Sequence, residues 1–310
     1  MNENGNKEVL DWLLTGDPSI AFQATRDLMN GGRAKLDRLQ QDIGEEGWGS
    51  DFMRYRANNG LWGGGYYLPK WVSTHYTLLD LKNLCFPLGN KKVSNSVALV
   101  LEAQRGENGG ISYGRRKSDV CVNGMILNFA SYFTPADERL KSIVDFLLSV
   151  YLEDGGWNCK YEKGAMHSSL HSTLSVLEGL SEFSRTGNGY RASEISQAKK
   201  VGIEFLLVHR LFRSHRTGKV IDPKMLMLTY PPRWRYDILR VLDYLQSANV
   251  EYDERMEDAL SVIRKKKRKD GAWVLEGKHV GMVHFEMEKT GNPSRWNTLR
   301  ALRVLRHFDK

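Results

Sequence analysis

The segment His171-Ser172-Thr173-Leu174-Ser175-Val176-Leu177 repeats in outline four more times along the chain. The others begin at His75, Cys121, Tyr236 and Trp296, and each carries a leucine six residues on: Leu81, Leu127, Leu177, Leu242 and Leu302. One residue further stands a polar side chain, namely Lys82, Asn128, Glu178, Asp243 and Arg303. A shared register of this kind reads as five equivalent helix starts. Before most of them lies a glycine loop: Gly60-Leu61-Trp62-Gly63-Gly64-Gly65, Asn108-Gly109-Gly110-Ile111, Asp154-Gly155-Gly156-Trp157 and Asp270-Gly271-Ala272-Trp273. The loops recur at about 50 residues, with one interval of about two periods that predicts a degenerate repeat near residues 219–232.

Between the loops and the preceding repeats run amphipathic segments, Val93 to Gln104, Leu140 to Leu152, Ile195 to Leu211 and Met256 to Ile263, with apolar residues at three- and four-residue steps. Further helices are expected from Val9 to Leu14, from Asp17-Pro18 to Met29 and from Leu36 to Ile43, the second opened by proline in its favoured first-turn place. Nothing alternates with period two, so strand content should be near zero. Helix pairs of this size cannot bury their apolar faces alone and must stack on neighbours. The segments that open the register are the more apolar, as an inner layer would be. The expected fold is therefore all-α, a double ring of five to six helix pairs spanning residues 1–310, with residues 1–47 as a helical extension or incomplete repeat.

Composition narrows the function classes. The chain has 310 residues and a formal charge of +8. Its densest basic run, Arg264 to Lys269, ends a predicted helix where cations oppose the helix dipole, and no aromatic residues interleave with it. No nucleic-acid partner is expected. No apolar run approaches the length of a transmembrane segment, and the first residues are not those of a signal peptide. Three scattered cysteines, Cys85, Cys121 and Cys159, do not make a disulfide framework. The expectation is a soluble, cytoplasmic protein.

The register places His75, Cys121 and His171 at one level of three consecutive helices, with Asp119 two residues from the cysteine. Cys thiolate, His nitrogen and Asp oxygen are zinc ligands. Each has a plainer reading: a helix cap, a small buried hydrophobe, a hydrogen-bonded imidazole. Tyr236 and Trp296 share the register and are expected to face the central space. Arg233, Arg235 and Arg295 are available to an anionic group, although anchoring of loops suits Arg233 better.

These loops and helix starts resemble the repeats of the terpenoid cyclase and protein prenyltransferase α/α toroid, including squalene-cyclase-like repeats, from about Trp48 to the end of the chain. Asp119-Val120-Cys121 and His171 further resemble the zinc site of prenyltransferase β subunits, with Arg116 where that family places a diphosphate-binding lysine. Val122 and Tyr113 depart from the pattern, and there is no Asp-Asp pair to build the cyclase acid. The resemblance implies zinc on Asp119, Cys121 and His171, and the register adds His75, outside the family pattern, as fourth ligand or close neighbour. It also implies a small-molecule substrate, isoprenoid or otherwise anionic, contacted by Arg116; the register adds Tyr236 and Trp296 to the expected contacts, and the loop before Trp296 adds Arg295. The alternatives are a metal-free cyclase-like enzyme with an aromatic cavity, and a binding or scaffold protein that shares the fold without chemistry.

Overall fold

The glycine loops do join helices. The computed structural model describes residues 3–114 and 116–309. In chain order the helices are α1 (Glu3–Leu14), α2 (Pro18–Leu28), α3 (Arg33–Glu45), α4 (Gly47–Arg54), α5 (Thr74–Asn83), α6 (Lys91–Glu102) and α7 (Val120–Phe133). They continue with α8 (Leu140–Ser149), α9 (Leu170–Arg185), α10 (Ala192–Val208), α11 (Ile238–Ser247), α12 (Glu257–Lys265) and α13 (Arg295–Phe308). Extended structure among the described residues is limited to the antiparallel pair β1 (Trp273–Val274) and β2 (Pro293–Ser294) and isolated bridges. The all-helical expectation holds, and none of the described helices is long and apolar enough to cross a membrane.

The difference between the two sets of helices is visible in their burial. From Thr74 to Leu81 every residue of α5 is buried, and α7 is nearly as enclosed. By contrast α6, α8 and α12 bury one face, which is what three- and four-residue apolar spacing provides. Helix α5 packs on α7, α7 on α9, α11 on α13, and α13 on α2. Side chains bridge the other two steps: Ser181 of α9 hydrogen-bonds the Tyr244 hydroxyl of α11, and the Gln23 amide of α2 donates to the Asn83 carbonyl at the end of α5. The segment before Trp48 thus contributes a helix, α2, to the enclosed set.

One device explains how the pairs are joined. The indole N–H groups of Trp62, Trp157 and Trp273 donate to the carbonyls of Phe52, Leu147 and Ile263 at 2.7, 2.7 and 2.8 Å. Each acceptor lies in the last turn of the preceding helix (α4, α8 or α12), where carbonyls lack an intrahelical partner. The same tryptophans donate their backbone N–H to Thr74, Thr173 and Thr298 on the following helix, at 2.9, 3.1 and 3.0 Å. Ile111 does likewise with Asn123 at 2.8 Å. All three indoles are fully buried; at roughly 200 Å² each, burial contributes about 5 kcal/mol per ring before entropic costs.

These contacts also correct the register. Asn123, Thr173 and Thr298 each stand two residues after Cys121, His171 and Trp296, but the partner of Trp62 is Thr74 rather than Thr77. The first repeat is displaced by three residues, close to one helical turn. All three of His75, Cys121 and His171 are the second residue of their helices, but measured from the loop hydrogen bond His75 stands about a turn farther along than the other two. The fourth repeat differs too: α11 starts at Ile238 behind the capping residue Asp237, leaving Tyr236 ahead of the helix.

Candidate functional site

Asp119 occupies the N-cap position just ahead of α7, and its side chain makes no capping hydrogen bond there. Cys121 follows in the first turn, and Cys159 reaches the same point from the loop that links Trp157 to α9. One ligand atom each from Asp119, Cys121 and Cys159 lie within 4.8 Å of one another, and among the described residues this is the group with metal-ligand geometry. The backbone N–H of Cys121 donates to Cys159 Sγ at 3.3 Å, and the Ser172 hydroxyl donates to the same sulfur at 3.3 Å. Cys121 Sγ in turn lies 3.8 Å from Asp119 Oδ1. The neighbouring Cys159 thiol, followed by burial, holds the Cys121 thiol well above its usual range.

The histidines do not join this group. His171 Nδ1 accepts the Tyr236 backbone N–H at 2.8 Å, which leaves the ring's proton on Nε2. Burial and the nearby guanidinium of Arg240 lower its pKa to about 4. His75 is fully buried among the rings of Tyr67, Tyr76, Tyr113 and Phe129. Its Nδ1 meets the Tyr113 hydroxyl at 3.1 Å, its Nε2 has no partner, and burial lowers its pKa to about 3. Both rings are neutral near pH 7. Cys159 takes the place expected of His171. It was the residue that helix-start alignment missed, because it lies in a loop; its position two residues after a loop tryptophan tied to α9 was the available signal.

The expected substrate contacts divide. Trp296 lines a central cavity of about 470 Å³ and stacks on Tyr230 at 4.6 Å. Tyr236 turns away from it, its hydroxyl donating to the Leu211 carbonyl beyond the end of α10. Arg116 lies exposed on the surface in an ion pair with Glu107. Arg295 covers the ring of Trp12 at 4.6 Å and donates to the Trp12 carbonyl, so it fastens α13 to α1. Arg233 is buried in an ion pair with Asp80 and stacks over Trp71, the anchoring role its loop position suggested. The pair is held in a setting where burial raises the Asp80 pKa to about 6 against the pull of Arg233.

The polar register positions Lys82, Asn128, Glu178, Asp243 and Arg303 all line the same cavity. Around it Arg240 pairs with Glu178, Arg303 with Asp243 and Asp27, and Lys82 with Glu182. Most of the residues that line it are charged or hydrogen-bonding, with Tyr132, Tyr244 and Trp296 interspersed, although their carbon atoms supply more than half of the exposed lining. Burying a hydrocarbon chain against such groups would strip them of water without compensation. No protein-family model and no curated protein matches this chain.

Proposed function

We propose that the chain is a metal-dependent enzyme built as an α/α toroid, acting on a small polar substrate. Support for the ring is the succession of contacts α2–α5–α7–α9–α11–α13–α2, each step made by helix packing or by a named side-chain bridge. The metal reading is carried by one observation, the convergence of Asp119, Cys121 and Cys159 on a single point.

The donor set fits zinc. Two sulfurs and a carboxylate oxygen are borderline-soft and hard ligands that this ion accepts together, and three protein ligands leave a position for an exchangeable fourth. Bound there, the ion would supply Lewis acidity and lower the pKa of a coordinated thiol or water. The chain's own residues do the positioning. Ser172 and the Cys121 N–H fix the orientation of the Cys159 sulfur, as hydrogen bonds behind a ligand commonly do. Arg240 lines the cavity and pairs there with Glu178.

An isoprenoid substrate loses support from the charged cavity, and a carbocation mechanism loses the Tyr236 ring. The metal-free scaffold reading has in its favour the Cys121–Asp119 and Cys159–Ser172 contacts, which hydrogen bonding by the thiols accounts for. Elemental analysis of tag-free protein after zinc reconstitution decides between them. About one zinc per chain, lost in Cys159→Ser, is expected; a zinc-free wild-type chain would leave the scaffold.

A further inference from the structure

The two sulfurs of the Asp119–Cys121–Cys159 group are also a dithiol. Both cysteines are free, and their Sγ atoms lie within 4.8 Å of each other. Backbone groups of both segments build this placement. Cys159 Sγ accepts the N–H of Cys121 itself at 3.3 Å, and the Cys159 N–H donates to Ser172 Oγ at 3.2 Å. The contact joins residues 38 apart in the chain. Neighbouring thiols have two bonding partners open to them, a soft metal ion or each other.

The two thiols differ in access. Cys121 is 9% exposed in the first turn of α7, whereas Cys159 is half-buried in a loop. A small disulfide arriving from solvent therefore meets Cys159 first, and Cys121 is placed to resolve the product. An S–S bond is about 2.05 Å long. Turning one Cα–Cβ bond by a staggered step moves its sulfur by roughly 3 Å, which is the size of the gap to be closed. The rotation draws Cys121 Sγ off Asp119 Oδ1, now 3.8 Å away, or Cys159 Sγ off the Ser172 hydroxyl.

We propose that Cys121 and Cys159 form a reversible disulfide by exchange with a small-molecule disulfide, and that this bond and a metal ion compete for the same two sulfurs. In the first step the Cys159 thiolate attacks one sulfur of the reagent RSSR. The reagent's S–S bond breaks, one RS⁻ leaves, and a mixed disulfide forms on Cys159. In the second step the Cys121 thiolate attacks the Cys159 sulfur and expels the other RS⁻. The two thiol protons pass to the two RS⁻, so the protein loses two electrons and two protons and RSSR becomes two RSH. The bond itself stands without the metal reading; the competition rests on it. Cys85 lies outside the pair, on the central cavity beside Arg26.

The experiment incubates reduced, metal-stripped full-length protein with oxidised glutathione, quenches with acid, counts thiols in denaturant and maps linked peptides by mass spectrometry. The chain has three cysteines. Two thiols should be lost as a Cys121–Cys159 link, which dithiothreitol reverses. Cys121→Ser should stop at a glutathione adduct on Cys159, and Cys159→Ser should leave Cys121 unmodified over the same time. Should Cys85 take up glutathione as well, Cys85→Ser must still pass from two thiols to none. A wild type that keeps Cys121 and Cys159 as thiols, that stops at the Cys159 adduct, or that adds glutathione first to Cys121 overturns the proposal. One equivalent of zinc added beforehand should slow the loss about tenfold or more and be released as the bond forms. A disulfide that forms as fast with zinc present removes the competition and counts against the metal reading, while the bond stands.

Discussion

A Cβ placed on Gly124 of α7 would stand 2.6 Å from the carbonyl oxygen of Ser175 on α9. Gly179 answers it across the interface, its own missing side chain directed at the Gly124 carbonyl. The two backbones touch, so no flexible side chain can yield. Overpacking of this kind costs about 1–3 kcal/mol, and both Gly124→Ala and Gly179→Ala should lower unfolding free energy by that amount or more in urea titrations. Gly64→Ala is the contrast: nothing crowds it, but its φ of +74° penalises a side chain on conformational grounds alone.

Replacing Trp157 with phenylalanine tests the joining device. The Leu147 carbonyl, in the last turn of α8, would lose its indole partner in a buried setting. About 1–3 kcal/mol is expected from that loss alone, and Trp62→Phe and Trp273→Phe should cost similar amounts. A Trp157→Phe chain with unchanged stability in thermal or urea unfolding would show that the rings matter only as apolar volume.

Acid should loosen the fold partly through His75. Its folded pKa, about 3, lies below the ordinary histidine value of 6.5, so unfolding takes up a proton as pH falls. The stabilising contribution of the neutral ring is complete above pH 6.5 and is lost progressively towards pH 3, on the order of a few kcal/mol in total. His75→Phe should cost about 1 kcal/mol at neutral pH, through the Tyr113 hydroxyl left unpaired. Between pH 6.5 and 4 its stability should fall less steeply than that of the wild type. A shared slope remains because His279 and His284 are also held near 4. Parallel curves for the two proteins would refute this account of His75.

The helices were legible because leucine spacing and glycine loops are local signals. Helix α4 was not, since Gly47-Trp48-Gly49-Ser50 reads as a loop; it forms because Gly49 allows the Ile43 carbonyl and Phe86 ring to approach closely. The one-turn displacement of His75 was hidden for another reason. Leu78 and Leu81 both fit the leucine position of α5, and only the Trp62–Thr74 hydrogen bond chooses between them. Asp119 and Cys121 were found because they share one helix start. Cys159 depends on how a loop returns against α7, which no periodicity encodes. The polar register of Lys82, Asn128, Glu178, Asp243 and Arg303 was visible at once, but that all five line one cavity emerges only from the packing of the helices.

Cobalt(II) titration of the tag-free, metal-stripped chain is the most direct test of the metal reading, because thiolate coordination gives cobalt an intense near-ultraviolet absorption that carboxylate or imidazole sites lack. One equivalent should bind with that absorption in the wild type and in His75→Ala, and in His171→Ala as well. Cys121→Ser and Cys159→Ser should each lose it. Absence of the thiolate band in the wild type, or its loss in His171→Ala with retention in Cys159→Ser, would contradict the Asp119–Cys121–Cys159 centre.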